Sequence, residues 1–193
     1  MIARTHDLAA ITALGVVFLL MPPTSLSLST AIIAVLANLI GGIAPDIDQP
    51  TAPLWRNLPI GRYFGRIFGI LIGGHRFLTH SIIGVALVGF LVNLLLTFLD
   101  PIMGSIDKNI VWWAFMIGMV SHLIMDTFTK EGVPWLLPIP VKFGIPPVRH
   151  LRIITGKKME MFVVFPLLLI FNCWLYFYFY EEIIFLLRHT ITY

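Results

Sequence analysis

His122 and Asp126 stand four residues apart in this chain. On a helix that spacing puts an imidazole and a carboxylate on one face, one turn apart. Both then present lone pairs to the same point in space, the arrangement that grips a divalent metal ion. Both also lie in an otherwise apolar stretch, where ionisable groups are costly and mark function. Residues of the same chemistry recur elsewhere: His6, Asp46 and Asp48 in APDID, His75 and His80 in GGHRFLTHS, and Glu160. Cys173 is the only cysteine and lies mid-span, so the set is imidazole and carboxylate without thiolate. That mixture suits zinc, manganese or iron(II), as one ion or two. A site of this type with an open position makes hydroxide available near neutral pH.

A single histidine near a membrane surface is more often a hydrogen-bonded structural group, so the case rests on convergence. The elements that must produce it are helices in a bilayer. The chain is 58% hydrophobic and only 12% charged, where soluble domains carry about a quarter charged residues. Its mean hydropathy is +0.91. Apolar runs at Asp7–Met21, Leu28–Ile43, Ser81–Leu99, Ile110–Phe128 and Met161–Tyr180 approach the length that crosses a membrane. The expected fold is an all-α polytopic membrane protein, one domain over residues 1–193, with five spans or four plus a half-helix. Two long polar loops, Asp46–His80 and Thr129–Glu160, join the spans. The first span has no small-residue cleavage site and reads as retained.

Charge sets the orientation. With five spans, the face carrying the amino terminus and both long loops holds eleven basic residues, and the other holds only Lys108 and Arg188. The basic face is the cytoplasmic one. Every candidate ligand falls at or near that face. A pI of about 9.2 therefore marks topology, and no nucleic-acid partner is expected. Trp174, Tyr176, Tyr178 and Tyr180 read as an aromatic belt on the opposite side. In the first long loop, Gly61, Gly65, Gly69 and Gly73 recur every four residues and form a smooth helical stripe. Arg62 and Arg66 flank it. The plain reading is an interfacial helix packed on a neighbour; the sharper one has these arginines forked onto a lipid phosphate.

The elements Thr5-His6, APDID, HRFLTHS and SHLIMDTFTKEGVPWLLP together resemble the LexA-regulated, membrane-bound metal-dependent hydrolases, or YdjM-like family, over roughly Ala3 to Glu160. Phe77 departs from the family's R-G-x-T-H-S pattern, which has glycine there. A weaker resemblance, in ligand order, is to zinc-dependent phospholipases C and nucleases, without their later histidine cluster. Carried onto this chain, that order implies His6, Asp46, His80, His122 and Asp126 as metal ligands.

The expected function is a metal-dependent hydrolase of the prokaryotic inner membrane. Metal-activated water would cleave a phosphoester of a lipid or lipid-linked substrate at the cytoplasmic face, with membrane lipids as its partners. Asp48 is the candidate bridging ligand or general base, with Glu160 in reserve. Arg76 would neutralise an anionic substrate, though a plain positive-inside charge reads equally well. His75 is expected behind the ligands and His150 on the surface. A metal or proton transporter is the first alternative, disfavoured because transport sites lie near the midplane. A structural metal tying helix ends is the second, disfavoured because closed sites take four ligands and this chain offers more.

Overall fold

The computed structural model describes all residues except 53–54, 56–57, 72–75, 140 and 192–193. His75, Arg56 and Gly73 therefore lie outside the described residues. Among the described residues, five helical segments are long and apolar enough to cross a membrane: Ala3–Leu20, Leu28–Asp48, Ile82–Met103, Lys108–Thr127 and Glu160–Tyr178. The all-helical, five-span expectation holds. In chain order the α-helices are α1 (Ala3–Leu20), α2 (Leu28–Ile43), α3 (Gly61–Leu71), α4 (Ile82–Met103), α5 (Lys108–Thr127), α6 (Phe165–Tyr178) and α7 (Tyr180–Ile191).

Several span ends differ from expectation. The first span starts at Ala3 rather than Asp7 and runs 18 residues, which puts His6 inside the helix. The start is fixed by Ile2, whose backbone N–H donates to Glu160 Oε1 at 2.7 Å. The second span does not stop at Ile43. It tightens into a 3-10 helix over Ala44–Asp48 with Pro45 near its start, where the missing N–H costs nothing. The third runs past Leu99 and through Pro101 to Met103, ending at Gly104 with φ +60°. The last opens with a π-helical turn over Glu160–Val164, and α7 continues the chain beyond it.

Helix α5 is the centre of the bundle and packs against α2, α1 and α4. In a bilayer the lipid is as apolar as leucine, so helices associate through close packing and hydrogen bonds. Between α2 and α5 the approach needs glycine. A Cβ on Gly41 would stand 2.0 Å from the Phe115 carbonyl oxygen, and one on Gly118 2.0 Å from that of Asn38. Buried Asn38 then donates from Nδ2 to the Ala114 carbonyl at 3.0 Å. Leu14, Ala34 and Ala114 fill the junction of α1, α2 and α5. Helix α6 leans on α1, where Asn172 Nδ2 donates to Thr12 Oγ1 at 2.6 Å. The outward face of α4 carries Phe90, Leu94 and Phe98, all exposed, as a bilayer-facing helix should.

The two long loops close over one end of this bundle. The glycine stripe of α3 meets Trp55 and the 3-10 turn. A Cβ on Gly65 would lie 2.7 Å from the Trp55 ring, and one on Gly69 2.6 Å from the Asp48 carbonyl oxygen. This bears out packing on a neighbour and fixes the segment carrying Asp46 and Asp48. Arg62 and Arg66 remain exposed. The second loop is pinned by paired backbone bonds between Val133 and Phe143, at 2.8 and 2.9 Å. Trp135 anchors it to two spans, accepting from Ile82 N at 3.0 Å and donating from Nε1 to Thr127 Oγ1 at 2.9 Å.

Candidate metal centre

Five residues from four helix ends converge beneath these loops. His6 comes from the first turn of α1, Asp46 from the 3-10 turn after α2, His80 from the short turn before α4, and His122 and Asp126 from the last turns of α5. The four other than Asp46 are almost wholly buried. They form two overlapping groups whose potential ligand atoms lie within 4.8 Å of one another: His6, His122 and Asp126, and Asp46, His80 and His122. His122 belongs to both.

The hydrogen bonds decide which nitrogen of each ring faces inward. His122 Nδ1 lies 2.6 Å from the Gly42 carbonyl oxygen. A carbonyl only accepts, so Nδ1 carries the proton and Nε2 the lone pair. Thr79 does the same for His80 in two steps. Its hydroxyl donates to Asp48 Oδ2 at 2.6 Å, so its oxygen accepts from His80 Nδ1 at 3.0 Å. Both rings thus turn Nε2 lone pairs toward carboxylates. His122 Nε2 is 3.7 Å from Asp46 Oδ1 and 3.8 Å from Asp126 Oδ2. His80 Nε2 is 3.9 and 3.8 Å from the same two oxygens.

Lone pairs facing carboxylates at this range repel unless a cation lies between them. Two ligands about 2.1 Å from one ion at the tetrahedral angle sit about 3.4 Å apart, close to the observed separations. His122 Nε2 and both ring nitrogens of His6 are buried without a hydrogen-bond partner, and unpaired buried polar atoms of this kind are rare. His6 stacks on His122 with centroids 3.7 Å apart and rings 8° from parallel, its Nε2 3.4 Å from Asp126 Oδ1. The donor set therefore has the chemistry of a divalent-cation site, either His6, His122 and Asp126 or Asp46, His80 and His122 being close enough together to hold one ion.

The remaining candidates have other duties. Asp48, considered as bridging ligand or general base, belongs to neither group. Its carboxylate is buried and accepts from Thr79 Oγ1 and, at 3.0 Å, from Arg76 N. It orients His80 from behind, as carboxylates behind metal-binding histidines do. Glu160 is fully buried, yet it points away from the cluster. Its oxygens accept from Ile2 N and Gly156 N, each at 2.7 Å, so it ties α1 to a turn where Gly156 has φ +73°. Arg76 neutralises one of the site's own carboxylates. Its Nη2 lies 2.6 Å from Asp126 Oδ2, and Nη1 donates to Thr129 Oγ1 at 3.0 Å. The Met1 amino group pairs with Asp126 Oδ1.

Arg76 adopts φ +57°, an uncommon backbone state for a non-glycine residue that clusters at functional sites. Phe77, at the family's glycine position, has φ −111°, so this position does not use the positive-φ freedom of glycine. Sequence reasoning missed Thr79, Thr129 and the Gly42 carbonyl. Only the first two left any trace, as hydroxyl residues beside His80 and three residues after Asp126.

Comparison with known proteins bears on the family and the membrane location. The chain is 32% identical over 143 residues to YvsG of Bacillus subtilis (strain 168), covering 74% of this chain and 76% of that protein. It is 30% identical over 139 residues to inner membrane protein YdjM of Escherichia coli (strain K12), and equally to that of Shigella flexneri. Those two matches cover 69% of this chain and 61% of the relatives' length. No solved structure matches the chain significantly. Residues 1–183 match the family described as YdjM inner membrane protein, and with its five apolar helices the chain is an integral membrane protein belonging to that family.

Proposed function

We propose that the protein is a metal-dependent hydrolase, acting on a phosphoester of a lipid or lipid-linked substrate. The observation that carries this reading is the pair of three-residue histidine–aspartate groups sharing His122. Three protein ligands with a position left open is the pattern of catalytic zinc, whereas structural sites are closed by four. When bound, zinc or a similar ion would acidify a water molecule and polarise the phosphoryl oxygens.

The chain's own residues prepare that chemistry. Thr79 and the Gly42 carbonyl fix the orientation of the His80 and His122 rings through their Nδ1 atoms. Asp48 fixes Thr79 and the backbone of Arg76. Asp46 is 26% exposed, more open than the rest of the cluster, and sits where water and substrate would arrive. Arg76, once another cation neutralises Asp126, has a guanidinium free to meet an anionic ester. The excess of basic residues on the two long loops supports placing this end in the cytoplasm.

The test is hydrolysis of phosphatidic acid and of a polyprenyl phosphate ester in nanodiscs, with zinc or manganese supplied. Metal-dependent phosphate release that disappears in Asp126→Ala is the expected result. Bound metal with no turnover on any phosphoester lipid would leave a structural site. Fusion reporters at the amino terminus and after residue 104 should show the former cytoplasmic.

A further inference from the structure

A cleft of about 390 Å³ opens between the end of α5 and the beginning of α6. Its walls are apolar throughout, formed by Met125 and Phe128 on one side and Val164, Leu168 and Phe171 on the other, with Met1 at the inner end. Two features join it to the metal centre. Met125 immediately precedes Asp126, and Met1 lines the cleft with its side chain while its nitrogen contacts Asp126. Met1 thus belongs both to the cleft wall and to the immediate surroundings of a candidate ligand.

We propose that this cleft receives one acyl chain of the lipid whose phosphoester head lies at the histidine–aspartate cluster. The proposal rests on the hydrolase reading and adds how the substrate is gripped. The cleft is open on its outer side and apolar throughout, the surroundings that acyl chains of the bilayer occupy. A flexible hydrocarbon chain fits that volume, which lies within the range of small-ligand pockets, about 300–1,000 Å³. Two methionines among the lining residues adapt to such a chain, because the thioether side chain is unbranched and polarisable. An apolar cleft beside a cluster that includes Arg76 and the Met1 amino group complements an amphiphile with an anionic head.

The test uses nanodiscs containing phosphatidic acid with a diazirine within its acyl chain. After photolysis, the labelled positions are mapped by mass spectrometry in the metal-loaded protein. Label concentrated at residues 125–128 and 164–171, and lost in Leu168→Trp with metal content unchanged, is the expected result. Val164→Phe should reduce it in the same way, should the tryptophan variant fail to insert. Label spread equally over the exposed face of α4, at Phe90, Leu94 and Phe98, and insensitive to both substitutions, overturns the proposal. Metal-dependent hydrolysis without cleft labelling would sink this inference alone. Cleft labelling in a protein that binds no supplied metal would instead sink the hydrolase reading and leave the acyl site standing.

Discussion

The two ends of the helical bundle treat their polar groups in opposite ways. At the end away from the long loops, Ser27 caps α2 by accepting from Thr30 N at 3.2 Å, and Asp107 caps α5 by accepting from Asn109 N at 2.8 Å. Thr30 Oγ1 joins them, accepting from Asp107 N at 3.0 Å. Lys108 and Asp100 form a surface pair at 2.7 Å. Each of these groups is satisfied by a neighbour, as helix termini require. At the other end, His6 and His122 are buried with unpaired nitrogens, and two carboxylates face two imidazole lone pairs. The first end is complete as folded. The second keeps buried polar atoms that the fold itself leaves without a partner, and on the reading proposed above a cation would complete them.

The largest expected effect lies at His122. Because it belongs to both groups, His122→Ala should abolish metal binding, read by elemental analysis of detergent-purified protein supplied with zinc. Retention of metal would mean that the two groups do not share a centre.

Arg76 offers the next largest effect. It is one of two buried cations on Asp126, the other being the Met1 amino group, and removing one partner of a buried ion pair costs about 3–5 kcal/mol. Arg76→Gln should therefore lower the thermal stability of metal-free protein, and added zinc should restore most of the loss. Equal destabilisation with and without metal would show that the ion does not substitute for the guanidinium charge. Asp48→Asn probes the layer behind the ligands and should weaken metal affinity about 10- to 100-fold with the fold intact. A competition titration against a chromophoric chelator measures it.

Two substitutions away from the site sharpen the contrast from the structural side. Gly118→Ala forces a methyl against the Asn38 carbonyl and should destabilise the α2–α5 contact by about 1–3 kcal/mol. Ser27→Ala removes a cap at the satisfied end and should cost about 0.5–2 kcal/mol. Neither should change metal stoichiometry. Chemical denaturation with metal analysis on the same samples checks both.

Much of this was legible in the chain. Bilayer physics demands long apolar helices, so the five spans could be read directly, and α2, Leu28–Ile43, was bounded to the residue. The His122–Asp126 spacing survives because helical periodicity is local. The glycine stripe announced a close backbone contact, although its partner, the turn carrying Asp48, is remote in sequence. The span starts were less legible. A helix beginning at Ala3 depends on a carboxylate at Glu160, 158 residues from Ile2, and no local pattern reports such a tether.

The division of labour among the carboxylates was decided by tertiary structure alone. Asp46, Asp48, Asp126 and Glu160 are alike as residue types and all fall at the same end of the bundle. Only packing separates Asp46 and Asp126, which face histidine lone pairs, from Asp48 and Glu160, whose oxygens are committed to Thr79 and to backbone amides. Composition, hydropathy and spacing determined that this is a five-span membrane protein gathering metal-type ligands at one end, because those features act through the solvent and the helix period. Which ligand points inward, and with which nitrogen, is settled by hydrogen bonds a few ångströms long between segments far apart in the chain, and only the folded bundle brings those together.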